Sequence, residues 1–132
     1  MSAVIKLREY VPGSGMTEVR RSQKWVISKD APSKVEDLSF VSIGPDERPI
    51  WWKPEVLKTR YSQAHCALGT AYAYEFLDFM NNPHASDDTK ELILGFIVSA
   101  MIHGSRDWKA VTVAESFMKT VGTYMSTGAV YR

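Results

Sequence analysis

The most apolar stretch of the chain is ELILGFIVSAMIHG, from Glu91 to Gly104. Its small or polar residues Gly95, Ser99 and His103 fall four apart, so on a helix they form one thin line while apolar side chains cover the rest of the circumference. Such a helix needs neighbours on every side. Because the stretch is shorter than the roughly 20 apolar residues of a membrane span, the pattern predicts a buried central helix and no transmembrane segment.

The first third of the chain follows a different pattern, in which apolar and polar positions alternate with the period of a β-strand. Residues 3–11 and 17–28 alternate in this way, and the Pro-Gly-Ser-Gly sequence between them suits a tight turn. Residues 35–43 are typical of a third strand. We therefore predict an N-terminal antiparallel β-hairpin, or a three-stranded meander if the third strand pairs with it.

Two more helices are predicted, one before and one after the central helix. Pro54 suits the first turn of a helix, and Asn81-Asn82-Pro83 stops one, so the first helix is predicted over residues 54–80. Ser105 caps the third helix, whose apolar residues keep a 3.6-residue period as far as Gly128. The tight link between the second and third helices favours an antiparallel αα-hairpin.

Together these patterns predict an α+β fold, in which the N-terminal strands precede three α-helices packed around the central buried one. The β part covers residues 1–44 and the helical part residues 50–128 of a single domain, residues 1–132. A chain of this length can build one hydrophobic core without metals or disulfides. Hydrophobic residues at 45% and charged residues at 23% are ordinary for a globular protein.

Charge and cysteine content narrow the class of protein further. A net charge of +1 is far from the strongly basic balance of a dedicated nucleic-acid-binding domain, so an anion would have to meet a local patch. The single Cys66 cannot form an internal disulfide, and Lys6, Arg8 and Glu9 stand where a signal peptide would need its apolar centre. We therefore expect a cytoplasmic protein.

The residues that could carry chemistry form no recognisable catalytic or metal motif. His65 and Cys66 are adjacent, so on a helix they point about 100° apart and cannot work together as base and nucleophile. Glu75 and Asp78 lie three apart and could form an acid/base pair or hold a cation, but unpaired carboxylates are rarely buried, which favours a helix edge facing solvent or a partner. We expect no metal and no cofactor.

Trp51 and Trp52 form the densest aromatic site, beside Lys53. Exposed tryptophans next to a cation can stack on bases or fill a partner's groove. Just ahead of a predicted helix they can instead fasten the chain to the core. The position favours packing and leaves the binding interpretation open.

The predicted hairpin concentrates cations on one side. Because side chains alternate along a strand, Lys6 and Arg8 share a face with Arg20 and Lys24, and Tyr10 lies on the same face. Like charges facing each other destabilise a sheet by up to about 1 kcal/mol unless they splay into water or an anion lies nearby. This basic hairpin face is a candidate site for nucleic acid or another polyanion.

A second candidate surface, the alanine face, lies on the predicted first helix. Its residues recur at intervals of three or four and so line one side of a continuous helix. The middle is alanine and the ends carry opposite charges, so two copies could pair antiparallel about a two-fold axis. Alternatively, the alanines receive the central helix of the same chain. The alanine face consists of Arg60, Ala64, Ala67, Ala71, Glu75 and Asp78.

These observations favour a non-enzymatic structural or adaptor protein that acts through self-association. Its small size and lack of motifs are typical of viral or phage assembly and regulatory proteins. The alternative hypothesis is a nucleic-acid-binding protein that uses the basic hairpin face, and the third is a small enzyme with Glu75 and Asp78 in its site. We expect a homo-oligomer that needs no small-molecule cofactor.

Overall fold

The structure, a computed structural model, describes residues 30–85 and 90–127. This part of the chain has an α+β fold, as predicted, with one two-stranded antiparallel sheet and three α-helices. None of these helices is long and apolar enough to cross a membrane. The first two strands of the predicted hairpin, residues 3–11 and 17–28, lie outside the described residues. The elements are β1 (Ser42–Ile43), β2 (Pro49–Ile50), α1 (Ser62–Asn81), α2 (Ile93–Ile102) and α3 (Trp108–Thr127).

The strand predicted over residues 35–43 is wrong over most of its length. Val35–Asp37 forms a 3-10 turn, and only β1 at its end is a strand, paired with β2. The Asp37 carboxylate accepts a hydrogen bond from the backbone N–H of Lys34 at 3.2 Å, a local bond that competes with extended pairing. After the turn the burial alternates from Leu38 to Phe40 and then breaks, because Val41 is buried directly after Phe40.

Helix α1 begins later than predicted and ends within one residue of the predicted position. The backbone N–H of Glu55 donates to the Tyr72 hydroxyl at 2.9 Å, and the carbonyl oxygen of Thr59 accepts from the His65 Nε2–H at 3.0 Å. A helix beginning at Pro54 would use the carbonyl oxygen of Thr59 for its own hydrogen bond to the N–H four residues later, so the bond to His65 competes with that helix. Tertiary contacts therefore hold residues 54–61 in an irregular path beside α1.

Helix α3 packs along α1, and the two helices run in the same direction. The Ser116 hydroxyl donates to the Cys66 carbonyl at 2.7 Å, and further along both helices the Tyr124 hydroxyl donates to the Asn81 side chain at 3.2 Å. The backbones approach most closely at Gly69, which is buried against α3. The αα-hairpin predicted between the second and third helices is therefore wrong, because the main helix contact joins the first and third.

The hydrophobic core of the described residues lies between these helices and the segment 38–41. The Phe40 ring is central, with its centroid 5.4 Å from that of Phe117 and 5.3 Å from that of Trp52. Helix α2 closes the core with Ile93 and Ile97, which are fully buried and one turn apart. The prediction that this central helix is enclosed on all sides is not confirmed, because its other side is exposed.

Candidate functional site

The exposed side of α2 carries large apolar side chains. Leu92, in the turn just before the helix, is 52% exposed, Phe96 is 37% exposed and Ile102 is 58% exposed. At about 100° per residue, Leu92, Phe96 and Ile102 span an arc of about 120° on the helix, outside the side that carries Ile93 and Ile97. Half of the most apolar helix in the chain therefore faces solvent.

Small residues lie among these apolar side chains. Gly95 and Ser99 are both exposed, and a Cβ added at Gly95 would meet no atom of the described residues within 4 Å. The His103 ring lies against the C-terminal end of the helix, where its Nδ1 contacts the Ser99 carbonyl oxygen at 2.8 Å. We call the exposed surface of this helix the α2 face; it is formed by Leu92, Gly95, Phe96, Ser99 and Ile102. Large apolar side chains lie at its edges, and small residues that project little from the helix lie in its middle.

The apolar surface continues beyond α2 on both sides. The Trp51 ring lies 5.2 Å from the Phe96 ring, centroid to centroid, and is half-buried. At the other end, a groove of about 230 Å³ runs between α2 and α3, where Ile102 lies across from the exposed Val111. Trp52 is also half-buried, and its ring contacts Phe40 in the core. Both tryptophans therefore pack against the core, and Trp51 in addition borders the α2 face.

The two ends of the α2 face carry opposite charges. Glu91 is exposed just ahead of the helix. At the other end the exposed Arg106 reaches back, and its Nη2 donates to the carbonyl oxygen of Ile102 at 3.5 Å. Lys90 is turned the other way, with its ammonium bound to the carbonyl oxygen of Asn82 at 3.2 Å. Each charge also complements the helix dipole at its end.

The structure brings together most of the predicted alanine face but not its basic end. Ala67 and Ala71 are exposed and Ala64 is half-buried on α1. The prediction of one continuous helical stripe from Arg60 to Asp78 is wrong at its first residue, because Arg60 lies before the start of the helix. The exposure of Ala67 and Ala71 also shows that the central helix of the same chain does not cover the middle of this face.

Glu75 has a structural role in this arrangement. Its Oε1 accepts a hydrogen bond from the backbone N–H of Ser39 at 2.8 Å and so fastens the segment 38–41 to α1. Asp78 is half-buried one turn further on. The hydrogen bond to Ser39 thus gives Glu75 a part in holding the fold together.

Tyr72 lies beside this carboxylate and is nearly fully buried. Burial raises the pKa of its hydroxyl above the ordinary value of 10.0, and the negative charges of Glu55 and Glu75 raise it further, while the hydrogen bond from the Glu55 backbone N–H lowers it. The net direction is upward. The phenol is therefore held in its neutral form as a buried hydrogen-bond acceptor.

This raised pKa predicts a loss of stability at high pH. The folded state holds the Tyr72 proton more tightly than the unfolded chain, so its contribution is complete below about pH 10 and is lost as the pH rises through the folded-state pKa. We expect the free energy of unfolding to fall above about pH 10 more steeply in the wild type than in Tyr72→Phe, which lacks the ionisable group. Urea unfolding across this range checks the expectation, and equal slopes in the two proteins would contradict it.

A second groove, of about 460 Å³, lies between α1 and α3. Hydroxyl groups dominate its wall, and several of them are already bonded within the chain: Thr70 to Ser116 at 3.0 Å, and Thr120 to the Ser116 carbonyl at 3.0 Å. Cys66 lies at the edge of this groove and is exposed, whereas the adjacent His65 is buried. As predicted from their adjacency, the two side chains occupy different surroundings.

The remaining predicted site residues lie outside the described part of the chain. The basic hairpin face is made of Lys6, Arg8, Tyr10, Arg20 and Lys24, all within residues 1–29, so its polyanion-binding role stays a prediction. Within residues 30–85 and 90–127, no group of three or more His, Cys, Asp or Glu side chains is arranged to hold a metal ion.

Comparisons with protein families, with curated proteins and with solved structures find no match to this chain. The surface feature of the described residues that points most directly to a function is the α2 face. The apolar character of Leu92, Phe96 and Ile102 predicts that they lie in the core, whereas all three are exposed. The signal that could have identified them is the line of Gly95 and Ser99, since small residues leave room beside a helix for a close neighbour.

Proposed function

We propose that this protein is a non-enzymatic structural or adaptor protein that acts by self-association. The observation that carries the proposal is the α2 face, which keeps Leu92, Phe96 and Ile102 in solvent. Removing apolar surface from water contributes roughly 25 cal/mol per Å². A chain that leaves this surface uncovered gains free energy when another surface covers it.

The arrangement of these side chains distinguishes them from the scattered apolar residues of any protein surface. Single exposed apolar residues are normal, whereas a contiguous patch is typical of an interaction site. Trp51 and Phe96 are in ring contact, and Ile102 and Val111 line the same groove, so the patch is continuous over two helices and the segment before α1. Aromatic pairs of this kind are frequent at the centres of protein interfaces.

The competing hypotheses receive less support from the described residues. Glu75 serves as a hydrogen-bond acceptor for Ser39, which assigns it a structural task. The nucleic-acid-binding alternative depends on the basic hairpin face, outside the described residues. It makes a prediction of its own, weak binding with a slope of about 0.7–0.9 in log K against log salt for each phosphate contact.

One measurement separates these hypotheses. We expect light scattering to give a mass that rises with concentration from 14.9 kDa towards a multiple of it, because the α2 face becomes covered. Added RNA or DNA should leave that mass unchanged at about 150 mM salt, where weak polyanion contacts are largely screened. A constant mass of 14.9 kDa up to high micromolar concentration would contradict the proposal.

A further inference from the structure

We infer that the α2 faces of two copies pair antiparallel about a two-fold axis near Ser99. The inference rests on the proposed self-association and specifies its surface and its geometry. A symmetric contact repeats itself with partners exchanged, so each feature of the face must meet its own complement. Both the shape and the charge of the α2 face satisfy this condition.

The shape allows two helices to approach closely. Gly95 and Ser99 are one turn apart near the middle of the ten-residue helix, and among the described residues no atom lies within 4 Å of a Cβ added at Gly95. Helix axes come closest where small residues meet, and larger side chains then pack on either side of the crossing. With the axis near Ser99, Phe96 of one copy lies opposite Ile102 of the partner subunit.

The charges select the antiparallel direction. Glu91 and Arg106 lie at opposite ends of the face and are both exposed, while Asp107, also exposed beside Arg106, accepts a hydrogen bond from the backbone N–H of Lys109 at the start of α3 at 3.3 Å. In an antiparallel pair, Glu91 of each copy meets Arg106 of the partner subunit, and both contacts are attractive. A parallel pair would place Glu91 against Glu91 and Arg106 against Arg106, which is repulsive. Surface charges contribute little affinity but fix the direction of pairing.

The flanking surface enlarges the contact. One helix face is small compared with the roughly 800 Å² that each partner buries in a stable interface. The Trp51 ring extends the α2 face on one side, and the groove of about 230 Å³ beside Ile102 extends it on the other. The two-fold axis places Leu92 of the partner subunit next to this groove, where an apolar side chain is complementary to the lining Ile102 and Val111.

The first test replaces exposed apolar residues of the α2 face. Leu92→Glu and Ile102→Glu should each weaken dimerisation by about 100-fold, because a carboxylate would have to be desolvated in the interface. Both positions are exposed, so circular dichroism and the thermal transition of the monomer should stay close to those of the wild type. Val56→Glu is the matched control, since Val56 is 82% exposed and lies outside the face. Sedimentation equilibrium provides the dissociation constants.

The second test exchanges the charges. Glu91→Arg and Arg106→Glu should each weaken the homodimer by about tenfold, because attractive contacts become repulsive. An equimolar mixture of the two variants should form a heterodimer at wild-type affinity, since one chain then presents two arginines to two glutamates. A tag on one variant and native mass spectrometry identify the mixed species.

The results of these tests distinguish a failure of the proposed dimer geometry from a failure of the proposed self-association. If the wild type associates and Leu92→Glu still associates equally well, the α2 face is wrong while self-association stands, and Ala71→Glu then tests the alanine face instead. If Leu92→Glu abolishes association but Glu91→Arg and Arg106→Glu dimerise as tightly as the wild type, the antiparallel arrangement is wrong, because a parallel pair already places like charges together. A wild type that stays monomeric overturns the proposed function itself.

Discussion

Ile97→Asp is expected to abolish the cooperative thermal transition of this protein. Ile97 is fully buried on the inner side of α2, beside the aromatic core. The substitution removes an apolar side chain worth about 2–5 kcal/mol and places an unpaired carboxylate where its desolvation costs several kcal/mol more. A domain has only about 5–15 kcal/mol of stability in total. Circular dichroism during heating should show little ordered signal or a broad, uncooperative change.

The matched control is the neighbouring Phe96→Asp, which changes an apolar residue of the same helix to the same charge on its exposed side. We expect it to unfold cooperatively near the wild-type temperature when measured at low concentration, where the monomer dominates. This pair of variants tests which side of α2 is buried. Equal loss of structure in both would show that the helix is enclosed all round, and a cooperative transition in Ile97→Asp would show that neither side is packed.

Gly69→Ala is expected to destabilise the protein by about 3 kcal/mol, the upper end of the cost of overpacking. A Cβ at this position would clash with the carbonyl oxygen of Val113 and lie 2.9 Å from the Cβ of Ser116. Because the first of these atoms belongs to the backbone of α3, no rotamer change can relieve the clash, and the two helices must separate. The thermal midpoint should fall by roughly 10 °C at this chain length.

Gly122→Ala provides the control for the change of residue type. Gly122 lies on α3, where an added Cβ would meet no atom of the described residues within 4 Å. Alanine is a better helix former than glycine by about 0.5–1 kcal/mol. We therefore expect Gly122→Ala to raise the midpoint slightly. If Gly69→Ala also raised it, the close contact between α1 and α3 at this position would be wrong.

The interface variants and the stability variants also separate two properties of one helix. Ile93 and Ile97 determine whether the monomer folds, whereas Leu92 and Ile102 determine whether folded monomers associate. Variants of the second kind should lose mass in solution without losing the thermal transition. This separation follows from burial alone, since all four residues have similar apolar side chains.

Local patterns in the sequence identify several elements of this fold correctly. Asn81-Asn82-Pro83 ends α1 where predicted, because proline restricts the residue before it whatever surrounds the chain. The apolar stretch that contains Ile97 and the periodic stretch that contains Phe117 both form helices. These features depend on bonds between residues at most a few positions apart, which the sequence itself specifies.

Local patterns do not specify the candidate site, because the exposure of a helix depends on which distant segments cover it. Phe96 and Ile97 are both apolar, yet Ile97 is fully buried and Phe96 is 37% exposed. The irregular path of the segment before α1 likewise includes a bond between Glu55 and Tyr72, seventeen positions along the chain. Local sequence patterns thus account for the existence of the three helices and for their apolar residues. Which side of α2 is a surface depends on long-range packing, because that packing distributes the same side chains between core and solvent.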